Sequence, residues 1–178
     1  MNRGEEDCRF CRERNDLQSQ FMMKVITKTP QELEDLGMRM ADLFEPGDFL
    51  ALDGDLGAGK TLMTQGIAKG LHVEEDINSP TFTIIHEYES GRLPLYHMDV
   101  YRLKQPEEMY DLGYEEYFYG EGVTVVEWAE IIEPLLPDEY LAITLNRVPE
   151  GRELHLIPHG ARYEQMLEEL ADRENIKY

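Results

Sequence analysis

The chain has 178 residues, 42% of them hydrophobic, and this composition excludes a chain that is disordered throughout. Its 37 acidic and 17 basic residues give a net charge of −20, which excludes nucleic-acid binding driven by a basic surface. No apolar run approaches the roughly 18 residues of a membrane-spanning helix, and no secretory signal stands at the polar N-terminus. We therefore expect a cytoplasmic protein whose acidic surface serves either solubility or the binding of a basic protein partner.

The first segment, residues 1–21, is polar and lacks a periodic apolar pattern. Residues 22–26 then resemble an ordinary start of a bacterial protein. We predict that residues 1–21 are a disordered extension or a start-site artefact, and that residues 22–178 form a single domain. Cys8 and Cys11 form a C-x-x-C pair, but a structural zinc site needs four ligands, so the pair by itself predicts no metal centre.

A helix is predicted to begin at Thr29, a favourable N-cap residue, with Pro30 at its first position and Glu32 at its third. Its apolar face has helical spacing and consists of Leu33, Leu36, Met40, Leu43 and Phe44. The Pro-Gly pair at residues 46–47 predicts the end of this helix. The apolar run at residues 48–53 then predicts a buried strand.

Residues 54–61 read G-D-L-G-A-G-K-T, a complete phosphate-binding loop between the predicted strand and a predicted helix. Glycines allow backbone N–H groups to approach a phosphate chain, and the following helix directs its positive dipole end at the anion. Lys60 is expected to reach the β- and γ-phosphates, and the Thr61 hydroxyl to ligate the accompanying Mg²⁺. The loop therefore predicts the binding of a nucleotide with Mg²⁺.

The segment at residues 79–83 reads S-P-T-F-T and leads into a predicted hairpin. Thr81 and Thr83 form either a nucleotide-sensing loop or an ordinary junction between a loop and a strand. Residues 82–98 predict two antiparallel strands, because strand formers flank a turn at residues 89–92.

Two carboxylates are candidates for the chemistry of the site. Asp99 and Glu127 each end a short apolar segment that predicts a strand. Ligands bind at the carboxyl ends of strands in open α/β sheets, where an acid can hold Mg²⁺ or orient an attacking water. His97 and Trp128 lie near these acids, and we interpret both as packed residues in preference to a catalytic base and a gate.

The remaining elements complete a mixed α/β domain. Residues 106–119 predict a tyrosine-rich helix, and residues 161–171 predict an amphipathic helix. Residues 141–148 and 153–157 predict two strands that pair across a turn. We predict an α/β fold with a P-loop NTPase-like three-layer core, a mixed sheet and antiparallel additions, and the pattern leaves the strand order open.

Three further blocks accompany the loop: S-P-T-F-T at residues 79–83, H-M-D-V-Y-R-L at residues 97–103, and V-E-W at residues 126–128. In this order and spacing, the loop and these blocks resemble the bacterial TsaE family over about residues 24–157. The resemblance implies a small P-loop ATPase required for making threonylcarbamoyladenosine in tRNA. It also implies ATP and Mg²⁺ as cofactors and association with the TsaB–TsaD pair, whose turnover ATP binding and hydrolysis support. The tRNA is then expected to be reached only indirectly, through these partners.

Carried over by position, the resemblance implies a role for each residue of the site. The residues expected to hold the triphosphate are Leu56, Gly57, Ala58, Gly59, Lys60 and Thr61. Lys60, Asp99 and Glu127 are expected to be catalytic. Thr61 and Glu127 are expected to hold Mg²⁺.

The same resemblance places Thr81 in a switch-like segment. It places the adenine near Pro30 and near Gly151 and Arg152. The chain departs from the family in its N-terminal extension and in its acidic C-terminal helix, which leaves the partner contacts of both ends open.

Three other functions stay open on the residues alone. A small-molecule kinase would use residues 99–102 to bind its acceptor. Kinases, however, gather arginines around the transferred phosphoryl group, whereas the arginines after the loop are scattered along this sequence. A GTPase would carry an N-K-x-D motif, which residues 146–149 do not supply. A nonenzymatic module that uses a nucleotide only to set its shape is compatible with slow hydrolysis in isolation.

Overall fold

One mixed sheet of seven strands forms the centre of the computed structural model, which describes residues 22–174. Its strands are β1 (Met23–Thr27), β2 (Phe49–Gly54), β3 (Ile85–Tyr88), β4 (Leu95–Asp99), β5 (Val123–Glu127), β6 (Tyr140–Val148) and β7 (Gly151–His159). The order across the sheet is β1-β7-β6-β2-β5-β4-β3. Neighbours in the stretch β6-β2-β5-β4 are parallel, whereas β7, β1 and β3 pair in antiparallel fashion. This arrangement confirms the predicted mixed sheet with antiparallel additions.

Helices cover both faces of this sheet. The α-helices of the described residues are α1 (Pro30–Ala41), α2 (Lys60–Gly70), α3 (Glu115–Phe118) and α4 (Ala161–Glu174), and two 3-10 helices span Pro106–Leu112 and Ala129–Leu135. Leu50 and Leu52 of β2 belong to the core cluster that also contains residues of α1, α2 and α4. Phe49 and Ala51 belong to the cluster on the other face, with residues of α3 and both 3-10 helices. The chain therefore forms the three layers that the sequence predicted.

Helix α1 begins as predicted but ends earlier. Thr29 caps it, because the Thr29 hydroxyl accepts a hydrogen bond from the Glu32 N–H at 3.1 Å. The helix ends at Ala41, so the prediction that residues 46–47 end it was wrong. The residues that follow leave the helix, yet Phe44 stays buried in the same core cluster.

In the second half of the chain, the predicted strand pair formed, but the predicted tyrosine-rich helix did not form as one element. Residues 141–148 and 153–157 pair as expected, within β6 and β7. Residues 106–119 do not form one helix, because a 3-10 helix ends before α3 begins. The interruption lies at Gly113, whose left-handed φ of 64° ends the 3-10 helix.

The predicted hairpin is confirmed, since β3 is antiparallel to β4. However, β3 begins at Ile85 and not at residue 82. Ile84 has a left-handed φ of 68°, and its N–H donates to the Pro80 carbonyl at 2.6 Å. Residues 81–84 are therefore a turn, although their side chains favour a strand.

The predictions for residues 1–21, including the Cys8–Cys11 pair, lie outside the described residues. The assignment of residues 22–178 to a single domain stays a prediction. Within residues 22–174, none of the helices combines the length and the apolar composition that crossing a membrane requires.

Tyr163→Phe is expected to lower the free energy of unfolding by about 1–3 kcal/mol, because it leaves a buried backbone N–H without its acceptor. The Tyr163 hydroxyl, on α4, accepts a hydrogen bond from the Phe49 N–H at 2.7 Å. Burial raises the pKa of this phenol, so the hydroxyl stays neutral at ordinary pH. Chemical denaturation of the wild-type and variant chains measures the difference. Tyr119→Phe, at a residue that is 67% exposed, is the matched control, and equal losses in both variants would contradict the assignment.

Candidate nucleotide site

The glycine-rich loop connects the end of β2 to the start of α2. Gly59 is the N-cap of α2, has a left-handed φ of 117°, and supplies no side chain to cap the first N–H groups of this helix. An uncapped helix start favours an anion, because its unpaired N–H groups and the helix dipole act together. Gly54 is required where the loop begins, since a Cβ at this residue would lie 2.4 Å from the Leu145 carbonyl oxygen.

Lys60 is the first residue of α2, and its side chain turns back along the loop. Its Nζ donates hydrogen bonds to the carbonyl oxygens of Gly54 at 2.5 Å and Asp55 at 3.0 Å. The same ammonium lies 3.8 Å from the ring centroid of Trp128, which is a cation–π contact. Burial lowers the pKa of Lys60, and the negative charge of Glu127 is the largest influence that opposes this shift. Lys60 is therefore a confined positive charge beside the loop.

Glu127 ends β5 and lies beside the loop because β5 is a parallel neighbour of β2. The Thr61 hydroxyl donates to its carboxylate, with distances of 2.9 Å to Oε1 and 3.2 Å to Oε2. Glu127 is only 3% exposed. A hydroxyl and a carboxylate in contact fit Mg²⁺, which takes oxygen ligands and usually has few of them from the protein. The fold thus brings the two predicted metal ligands together.

His97 lies in the interior of β4 and contacts Glu127. Its Nε2 is 2.7 Å from Glu127 Oε1, and the residue has no exposed surface. The interpretation of His97 as a packed residue was right about its burial but missed this contact. The available signal was the H-x-D spacing, because residues two apart on a strand share one face of the sheet. Asp99 stands opposite Glu127 in register, so all three side chains lie on that face.

Asp99 holds the segment that precedes β3. Its Oδ2 accepts hydrogen bonds from the Ser79 hydroxyl at 2.9 Å and the Thr81 hydroxyl at 3.2 Å. Its Oδ1 accepts from the Tyr101 N–H at 3.1 Å. Of the two threonines singled out in the sequence, Thr81 lines the cavity, whereas Thr83 is exposed and does not. Sequence reasoning missed the contact of Ser79 with Asp99, because the two residues are distant along the chain.

Two arginines from the β6–β7 hairpin hold the outside of the loop. Arg147 Nη2 donates to the Leu56 carbonyl at 3.0 Å, and Arg152 Nε donates to the Ala58 carbonyl at 2.7 Å. These contacts fix the direction of two loop carbonyls and so the orientation of the peptide groups between them. The arginines that are scattered along the sequence are therefore partly gathered in space, because Arg147 and Arg152 pair in register.

A cavity of about 530 Å³ joins these groups, a size that suits a small-molecule cofactor. Its wall includes every residue predicted to hold the triphosphate or to be catalytic: Leu56, Gly57, Ala58, Gly59, Lys60, Thr61, Asp99 and Glu127. The wall also includes Pro30, Gly151 and Arg152, where the adenine was expected. Trp128 lines it as well: this half-buried residue packs against the core as interpreted, and it also forms part of the site. The chemical roles of these residues stay predictions.

The fold and the site together define a class of protein. β2, the loop and α2 form the strand–loop–helix unit of P-loop proteins, and an acid ends the neighbouring parallel strand β5. The fold is therefore that of a P-loop NTPase.

Comparison with known proteins identifies the family. The family model of the threonylcarbamoyl adenosine biosynthesis protein TsaE matches residues 27–154. The tRNA threonylcarbamoyladenosine biosynthesis protein TsaE of Bacillus subtilis is 50% identical over 155 residues, which are 86% of this chain and 97% of the relative. That of Treponema pallidum is 42% identical over 129 residues, which are 72% of this chain and 95% of the relative. The crystal structure of YdiB from B. subtilis matches with a TM-score of 0.77 at 45% identity, over 86% of this chain and 97% of that chain. The chain belongs to the TsaE family, as the resemblance of its motifs predicted.

Proposed function

We propose that this chain is a Mg²⁺-dependent ATPase that binds the TsaB–TsaD complex and supports threonylcarbamoyl modification of the adenosine next to the anticodon in tRNA. Membership of the TsaE family supports the pathway. The observation that carries the enzymatic part is the contact of Thr61 with Glu127 beside the confined ammonium of Lys60. One cavity thus contains a cation that can bind phosphates and two oxygen-bearing side chains that can bind a metal. Both are features that nucleotide hydrolysis requires.

Lys60 and the start of α2 form the anion-binding half of the proposed site. On binding ATP, Lys60 exchanges the neutral carbonyls of Gly54 and Asp55 for charged phosphate oxygens, and charge-assisted hydrogen bonds are the stronger kind. Thr61 and Glu127 would hold Mg²⁺, and this ion would neutralise negative charge on the phosphates. The close packing of the side chains proposed to bind the phosphates and the metal supports this assignment.

Asp99 is the second acid of the proposed mechanism. It is 4% exposed and accepts hydrogen bonds from Ser79, Thr81 and the Tyr101 N–H. These bonds hold the segment of residues 79–81 at the cavity wall. We assign the switch-like role to this segment. A change in its conformation would alter the hydrogen bonds of Asp99 and so affect the site to which Asp99 belongs.

Hydrolysis of ATP is proposed in preference to two related activities. The N-K-x-D motif of guanine recognition is absent from the sequence, which argues against GTP. Kinases direct arginines at the transferred phosphoryl group. Arg147 and Arg152 instead donate to carbonyls of the loop, which argues against transfer to a small acceptor.

The charge of the chain supports an indirect relation to tRNA. A protein that binds RNA through its phosphates needs Lys and Arg to neutralise them. This chain has a net charge of −20, so we propose that the TsaB–TsaD partners hold the tRNA.

Reconstitution of the modification tests the proposal as a whole. TsaB, TsaD, tRNA and threonylcarbamoyl-adenylate are combined with ATP and Mg²⁺, with and without this chain. We expect multiple-turnover modification with the wild-type chain and no restoration with Lys60→Ala. Lys69→Ala is the matched control and is expected to restore turnover, because the Lys69 side chain is 56% exposed and pairs with Glu34 on the surface. Modification that proceeds equally well without the chain would contradict the proposed function.

A further inference from the structure

Within residues 22–174, His97 makes one polar contact, and that contact is with the acid of the proposed metal site. Its Nε2 lies 2.7 Å from Glu127 Oε1, and the two residues are 0% and 3% exposed. Its Nδ1 is also buried and has no hydrogen-bond partner among residues 22–174. Among the described residues, Glu127 is therefore the polar partner of the imidazole ring.

This geometry favours one tautomer of the ring. A proton on Nδ1 would be a buried donor without an acceptor, and the Nε2 lone pair would then face a carboxylate oxygen. A proton on Nε2 donates to Oε1 instead and leaves only an unpaired acceptor at Nδ1. His97 is therefore a fixed donor to Glu127.

The carboxylate of Glu127 also has a competing partner in the cavity. Lys60 is a confined positive charge, and Glu127 is the acid with the largest influence on it. A carboxylate free to rotate would be attracted to this ammonium. It would then neutralise the positive charge that is proposed to bind the phosphates. His97 and Thr61 oppose such a rotation, because both hold Oε1, at 2.7 Å and 2.9 Å.

We propose that His97 is a positioning residue that donates through its Nε2–H to Glu127 and keeps this carboxylate on Thr61, in the orientation that binds Mg²⁺. The proposal rests on the proposed function, because it concerns the metal site of that function. It differs from simple packing in one respect: an apolar residue could fill the same space but could not orient the acid. Hydrogen-bond partners of metal ligands typically contribute about 10- to 100-fold to metal affinity or activity.

Calorimetric titration with ATP, in Mg²⁺ and in EDTA, separates positioning from packing. The gain in affinity due to Mg²⁺ is measured for the full wild-type chain, His97→Leu and His97→Gln. We expect His97→Leu to reduce this gain about tenfold or more, with little change in EDTA. His97→Gln retains an N–H donor and is expected to recover most of the gain. His86→Leu is the matched control, because His86 stands opposite His97 in register but contacts Tyr88.

The possible outcomes separate this proposal from the proposed function. A wild-type chain that binds ATP equally well in Mg²⁺ and in EDTA would overturn the proposed metal site, and this proposal with it. If Mg²⁺ raises the ATP affinity of the wild type and raises that of His97→Leu by the same factor, this proposal alone is overturned. Equal losses in His97→Leu, His97→Gln and His86→Leu would also overturn it, because they would indicate disturbed packing.

Nitrogen NMR of the histidine ring supplies a readout that needs neither metal nor a folded variant. The ¹⁵N-labelled wild-type chain is expected to show the Nε2–H tautomer for His97, assigned through its own backbone signals. The Nδ1–H tautomer would overturn the proposal, even if His97→Leu failed to fold.

Discussion

Lys60→Ala is expected to weaken ATP binding about ten- to hundredfold and to reduce hydrolysis about a hundredfold or more. Lys60 is a buried cation whose present partners are neutral loop carbonyls and the Trp128 ring. A hydrogen bond that involves a charged group contributes about 1.5–3 kcal/mol, which accounts for the loss of affinity. Calorimetry measures the affinity, and release of inorganic phosphate measures turnover.

Two further variants separate the charge of Lys60 from its packing. Lys60→Met keeps an apolar stem near Trp128 but removes the ammonium, so it is expected to lose as much affinity as Lys60→Ala. Lys69→Ala, later in α2, is expected to behave as the wild type. Unchanged affinity and turnover in Lys60→Ala would contradict the assignment of residues 54–61 as the phosphate-binding loop.

Glu127→Ala is expected to reduce ATP hydrolysis about a hundred- to ten-thousandfold, while ATP binding in EDTA changes little. The variant removes the carboxylate that contacts Thr61, and with it the proposed charge that holds Mg²⁺. Phosphate release at saturating ATP measures the loss of turnover. The same titrations in Mg²⁺ and in EDTA show whether the metal-dependent part of binding is lost.

Glu127→Gln and Glu87→Gln sharpen this test. Glu127→Gln keeps the size of the side chain but removes its charge, so a comparable loss would assign the effect to the charge. Glu87 lies on β3, is exposed, and accepts a hydrogen bond from the Tyr117 hydroxyl, so Glu87→Gln is expected to keep normal turnover. Wild-type turnover in Glu127→Ala would contradict the proposed catalytic role of Glu127.

Part of the candidate site was predictable because each of these residues has a signal in its own stretch of sequence. Gly59 has the positive φ that glycine favours, and Lys60 and Thr61 follow it directly in the helix that the loop begins. Asp99 and Glu127 were recognisable as the last residues of short apolar strands, and both strands formed with those ends. These features survive in the fold because each follows from a local rule of backbone conformation or strand length.

Other features of the site had no local signal. His97 could be recognised as buried, but its partner Glu127 lies on another strand. The arginines that hold the loop come from the β6–β7 hairpin, far along the chain. The strand β3 starts late because Ser79 and Thr81 bond to Asp99, which holds the preceding segment against the end of β4. Here tertiary hydrogen bonds outweighed the strand preference of the residues after Pro80.

Local patterns were sufficient to predict the glycine-rich loop, the acids at the strand ends, the three layers and the family of the chain. Only the tertiary structure determined three other features. These are the order of the strands, the partners of Glu127 and the hydrogen bonds from two arginines to the loop. The physical reason is distance along the chain: Thr61 and Glu127 are 66 positions apart, and they meet only because β5 pairs with β2. Hydrogen bonds between strands depend on which strands are neighbours, and no pattern of adjacent residues determines that choice.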